Sequence, residues 1–276
     1  MEAKAYESAI AIYKSLLDTH INQNIHCEII LNYAYCLSRL KQFDPALKLL
    51  QRLENETGNP IYLESANSLR GDIYYSSGQY YSAEKAYLRA VKSFPDNEEL
   101  HYSLFLTYLA LEKEPEALAL LKTQTPKDTY FLNYLKNWLE YLLVNERYDD
   151  FDNFVKVYNL EATAFVPEIV DIRIRRALCS NDYASTAYFL QNMKESSLQF
   201  QYYQALLLIN EGKEQQADSL LTVLVNSGKA EIAVPAYLER LKLLFRRNPS
   251  SAIEQLQTYL KQATNDLMKA ELYYTL

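Results

Sequence analysis

Glycine and proline are scarce in this chain, at 5 and 8 of 276 residues. An all-β protein needs more tight turns than so few can supply. The glycines are also too dispersed to form a phosphate-cradling loop. Histidine and cysteine number three each. His20 and His26 stand six apart, outside the i, i+4 spacing of a helical metal pair, and His101 opens a helix where a capping or core imidazole suffices. The adjacent His26 and Cys27 point about 100° apart on a helix and make no nucleophilic pair. Cys27 and Cys36 are nine residues apart on one expected helix, about 13 Å, too far for a disulfide. Three thiols favour a reducing compartment such as the cytoplasm, with a bacterial periplasm as the alternative.

Other classes fall for want of material. No apolar run reaches the roughly 18 residues of a membrane span, so no membrane insertion is expected, and the acidic, amphipathic "MEAKAYESAIAIYKSLL" is not a signal peptide. With 28 basic against 35 acidic residues the net charge is −7, and the densest basic clusters, Arg173 to Arg176 and Arg246–Arg247, are too short for a nucleic-acid footprint. Acidic pairs such as Glu98–Glu99 and Asp149–Asp150 suit helix starts. The chain offers no convergent set of catalytic groups, so no enzyme, metal or cofactor is expected.

What the chain has is hydrophobic material, 49% of residues, with 25 tyrosines against one tryptophan. That composition belongs to a folded protein with many half-buried positions. In "LRGDIYYSSGQYYSAEKAYLRAVKSFPDN", Gly71, Tyr74, Ala83, Tyr87, Ala90 and Pro95 are spaced as one face of two helices joined by a turn at Gly78 and stopped at Pro95. The pattern recurs. Equivalent second-helix positions are Ala9, Ala46, Ala83, Ala117, Phe151, Thr186, Ala217 and Ala252, at intervals of 37, 37, 34, 34, 35, 31 and 35. This period marks a helical repeat array.

The unit resembles the tetratricopeptide repeat in its length of about 34 residues and in the offsets of Gly, Tyr, Ala, aromatic and Pro. It departs in Asn67, where the family usually has Trp, and in Arg70, where it has Leu. Repeats around Leu139, Ile174 and Leu241 lose the small residues. The resemblance implies an all-α, right-handed solenoid of antiparallel helix pairs covering 1–276: a second helix at 1–20, repeats near 27–60, 64–97, 98–127, 130–160, 166–195, 198–228 and 232–262, and a first helix of a further repeat at 265–276. Unpaired helices at both ends suggest a piece of a longer array.

The resemblance further implies that first helices line a concave groove that takes a peptide or partner helix. The groove positions are Tyr35 and Arg39; Asp72 and Tyr75; Tyr102, Leu106 and Leu109; Lys136 and Glu140; Asp171 and Arg175; Tyr202 and Asn210. Neighbouring repeats could instead bury these tyrosines against one another. Leu31/Tyr35, Ser68/Asp72 and Lys136/Glu140 stand where carboxylate-clamp members carry Lys and Asn, which argues against an acidic C-terminal tail and for an apolar or amphipathic segment. The expected role is a non-catalytic interaction scaffold. The alternative is the repeat region of a larger enzyme or of an envelope or secretion assembly protein, and a regulator sensing a small peptide is a third reading.

Overall fold

The computed structural model describes residues 2–17, 22–158, 160 and 167–262. The further helix expected at 265–276, and His20, lie outside them. Among the described residues every regular element is an α-helix. They divide into two compact units, Met1–Tyr141 and Leu142–Leu276.

The first unit opens with α1 (Glu2–Leu17), which packs on α2 (Gln23–Arg39). Three helix pairs follow in order: α2 with α3 (Phe43–Glu56), α4 (Pro60–Ser76) with α5 (Tyr80–Ser93), and α6 (Glu98–Ala110) with α7 (Glu114–Thr123). Helix α8 (Phe131–Val144) carries the chain across the unit boundary. The second unit continues with α9 (Tyr148–Val157) and the pairs α10 (Pro167–Cys179) with α11 (Tyr183–Leu190), α12 (Leu198–Asn210) with α13 (Glu214–Val225), and α14 (Ala230–Arg247) with α15 (Pro249–Gln262).

First helices start where a short polar side chain can satisfy the exposed N–H groups. The side chains of Asn22, Asn59, Asn97 and Ser197 accept from backbone amides of α2, α4, α6 and α12. The turns after six first helices share one geometry. Lys41, Gly78, Glu112, Glu146, Asn181 and Gly212 take φ between 55° and 75°. Each donates its N–H to the carbonyl three residues back at 2.9–3.1 Å, and the next residue donates to the carbonyl five back at 2.8–2.9 Å. This is the Schellman arrangement, which satisfies the last carbonyls of the helix and reverses the chain. Glycine fits it without strain, whereas a side chain in that conformation costs about 1–2 kcal/mol. The sequence marks the turn at Gly78; the same turn built on Lys41, Glu112 and Glu146 has no local signature.

Seven residues before each left-handed residue and five after it stand the positions that meet in the core. The first-helix set is Ala34, Gly71, Phe105, Leu139, Ile174 and Ala205; the second-helix set is Ala46, Ala83, Ala117, Phe151, Thr186 and Ala217. All are buried. Ala34 and Ala46 share one cluster with Leu50 and Leu53, and Ala205 and Ala217 share another with Leu221 and Leu224. Basic side chains then tie neighbouring helices together. Arg70, at a core slot, is paired with Glu54 at 2.5 Å, Lys113 with Glu84 at 2.6 Å, and Arg240 with Asp218 at 2.8 Å. Cys27 and Cys36 are buried thiols, while Cys179 is exposed.

Gly71 is the tightest of these positions. A Cβ there would stand 2.6 Å from Cδ1 and 2.7 Å from Cζ of the Tyr87 ring. Helix propensity alone favours alanine by about 1 kcal/mol, but overpacking costs about 1–3 kcal/mol and a disturbed phenol hydrogen bond about 1 kcal/mol more. Gly71→Ala is therefore expected to destabilise the chain by about 1–3 kcal/mol, seen as a lower urea midpoint at unchanged slope. A higher midpoint would show that the ring moves aside at no cost.

Candidate peptide-binding cleft

Residues six before the left-handed turn residue lie on the face of each first helix turned away from its second helix. On α2, α4 and α6 these are Tyr35, Asp72 and Leu106. The structure brings them to one cleft of about 510 Å³, together with Arg39 and Tyr75. Five groove positions expected from the repeat thus line a single hollow. Tyr35 is 46% exposed, and its ring meets Tyr6 of α1 edge-on at 6.3 Å. Arg39 lies over the same Tyr6 ring at 6.0 Å. Tyr75 is half-buried and edge-on to Tyr80 at 5.3 Å, and burial raises its pKa.

Two cleft residues come from second helices, Phe43 of α3 and Tyr87 of α5. Tyr87 belongs to α5, yet its ring lies over Gly71 in the space a Cβ would fill, and its hydroxyl donates to Asp72 Oδ1 at 2.6 Å. Burial, then the Asp72 charge, raises the phenol pKa. Asp72 is open to solvent by area, but the surrounding walls crowd its carboxylate. That desolvation raises its pKa; the Tyr87 bond lowers it and the charge of Glu99 raises it again. Lys41 also lines the cleft, in the turn between α2 and α3. A second hollow of about 290 Å³ shares Tyr35, Leu69 and Asp72 with the first and adds Glu64 and Glu99. The pKa of Glu64 is raised, first by desolvation and then by Glu99, against a hydrogen bond from Ser65.

The remaining expected positions lie elsewhere. Tyr102 stacks on Tyr130 at 4.9 Å and accepts from Asn137 Nδ2 at 2.7 Å, so it is spent on its neighbours, the burial among repeats that the sequence left open. Leu109 and Glu140 are half-buried and Lys136 is exposed. In the second unit, Asp171 is paired with Arg175 at 3.0 Å and accepts from Tyr203 at 2.6 Å. Tyr202 is half-buried and Asn210 exposed. His101, expected to cap or fill, bonds the Pro95 carbonyl at 2.7 Å. Periodicity missed Tyr87, Leu69, Glu64 and Glu99; the one available signal was a glycine opposite a tyrosine. Among the described residues no group of three or more His, Cys, Asp or Glu could hold a metal ion, and no helix is long and apolar enough to cross a membrane.

If the Tyr87 hydroxyl holds the Asp72 carboxylate, Tyr87→Phe removes a bond that favours the charged form. The Asp72 carboxyl midpoint, followed by carbon-detected NMR titration, should rise further in that variant; an unchanged or lower midpoint would show that the bond does not form in solution.

Residues 1–111, which hold α1 to α6, match the family described as tetratricopeptide repeat-like domain. No curated protein matches the chain. Among solved structures, that of NprR in complex with its cognate peptide NprX is similar at 15% identity, over 95% of this chain and 87% of that one, with a TM-score of 0.47.

Proposed function

We propose that this chain, which carries a tetratricopeptide repeat-like domain over residues 1–111, is a non-catalytic scaffold that binds a peptide segment of a protein partner in the cleft on α2, α4 and α6. The observation that carries the reading is the convergence of Tyr35, Arg39, Asp72, Tyr75 and Leu106 on one hollow. The half-buried tyrosines supply contact area with little rotamer entropy to lose, and Leu69 and Leu106 supply apolar wall. An apolar or amphipathic segment suits this surface better than an acidic tail, since Ser68 and Asp72 stand where a clamp carries Lys and Asn. The exposed thiol of Cys179 fits a thiol-reducing compartment.

Selection of random dodecapeptides on the immobilised chain tests the reading. Peptides recovered on the wild type should bind about tenfold or more weakly to the Tyr75→Ala, Leu106→Glu double variant at unchanged helicity, since loss of an aromatic anchor costs that much at a binding centre. Equal binding would place the site elsewhere.

A further inference from the structure

Asp72 lines both hollows on α2, α4 and α6. One of its oxygens is occupied: the Tyr87 hydroxyl donates to Oδ1 at 2.6 Å from a ring seated over Gly71. The other, Oδ2, has no hydrogen-bond partner, and no base pairs with the carboxylate among the described residues. Asp171 of the second unit gives the contrast. It accepts from Tyr203 at 2.6 Å in the same way, but Arg175 answers its charge at 3.0 Å. Glu54, Glu84 and Asp218 at helix contacts are likewise answered, by Arg70, Lys113 and Arg240. The carboxylates around Asp72 are Glu64 on its own helix and Glu99 on α6, and the bases are Arg39 on α2 and Lys41 in the turn after it. The phenols are Tyr75 on α4, Tyr35 on α2 and Tyr87 on α5, and what α3 adds is Phe43, which does not titrate. Neither base pairs with Asp72, and the crowding of the walls outweighs every charge near it, so its carboxyl pKa lies above the ordinary aspartate value.

Resting on the proposed role of the cleft as a peptide site, we propose that Asp72 makes that site acid-dependent: an apolar segment binds over the protonated carboxyl and is weakened when the carboxyl ionises. A segment lying over Oδ2 strips water from it. For an ionised carboxylate with no cation paired to it, that loss costs far more than for a neutral carboxyl. The neutral form also gains an O–H that can donate to a carbonyl of the segment. Binding therefore takes up a proton. Occupation raises the carboxyl pKa above that of the empty cleft. Affinity is then full below the empty-cleft value, falls as pH rises between the two, and settles at its lower level above the occupied value. Protonation on Oδ2 leaves Oδ1 to keep the Tyr87 bond, so the switch changes charge without moving the ring.

The test selects peptides on the full chain, at acid and at neutral pH, from a random library without ionisable side chains. The recovered peptides are synthesised with acetylated and amidated ends, so that only the protein titrates. The wild type should bind them about tenfold more tightly at about pH 5 than at about pH 7.5, at unchanged helicity. Calorimetry in buffers of different ionisation heat should show proton uptake on binding. The Asp72→Asn variant, which keeps an acceptor for Tyr87, should bind at both pH values as tightly as the wild type does in acid, and take up no proton. The Glu64→Gln, Glu99→Gln double variant should keep the pH dependence. Wild-type affinity that is level across this range, or stronger at neutral pH, would overturn the inference and leave the cleft as a peptide site without a switch. A pH dependence that survives in Asp72→Asn, or that is lost in the double variant, would overturn it equally. Failure of the wild type to select any peptide at either pH would overturn the cleft's role itself, and the inference with it.

Discussion

After six first helices among the described residues the backbone reverses through a single residue at φ between 55° and 75°. Everything else in the repeat is counted from that residue. Seven positions before it and five after it point into the core, and six before it points away from the second helix. The reversal is held by two backbone hydrogen bonds whatever the residue type, which is why lysine or glutamate can occupy a conformation that costs each about 1–2 kcal/mol. The register is thus fixed by backbone geometry and burial together, and side chains of very different size, from Gly71 to Phe105, fill the same slot.

Within the first unit the slot occupied by glycine links the core to the cleft. Because Gly71 has no Cβ, the Tyr87 ring passes over α4, and its hydroxyl reaches the carboxylate of Asp72 on the far face. A core packing choice on α5 therefore sets the electrostatics of a surface on α4. The same cleft collects an aromatic wall, the carboxylate of Asp72 and the bases Arg39 and Lys41, so its chemistry is mixed rather than uniform.

The repeat was legible because small residues recur where helices approach most closely, and because Ala46, Ala83, Ala117 and Ala217 keep that role whatever surrounds them. Even Phe151 and Thr186, which break the pattern of size, are buried at the expected positions. The turns at Lys41, Glu112 and Glu146 were not legible, since their conformation is imposed by the helix end and not by the residue. Periodicity also found the cleft positions on α2, α4 and α6, because one offset repeats there. It could not foresee that Tyr102 would be taken up by Tyr130, a residue of the connection before α8, nor that Tyr87 would enter from a second helix. Both depend on contacts between segments that share no period.

The account stands on the claim that the faces of α2, α4 and α6 turned away from their second helices form the binding surface. The most direct measurement is NMR chemical-shift mapping of the isotope-labelled chain titrated with a peptide selected on it. The account predicts that the largest perturbations fall on Tyr35, Asp72, Tyr75 and Leu106. Perturbations confined to the solvent faces of α3, α5 and α7, with these four unmoved, would contradict it.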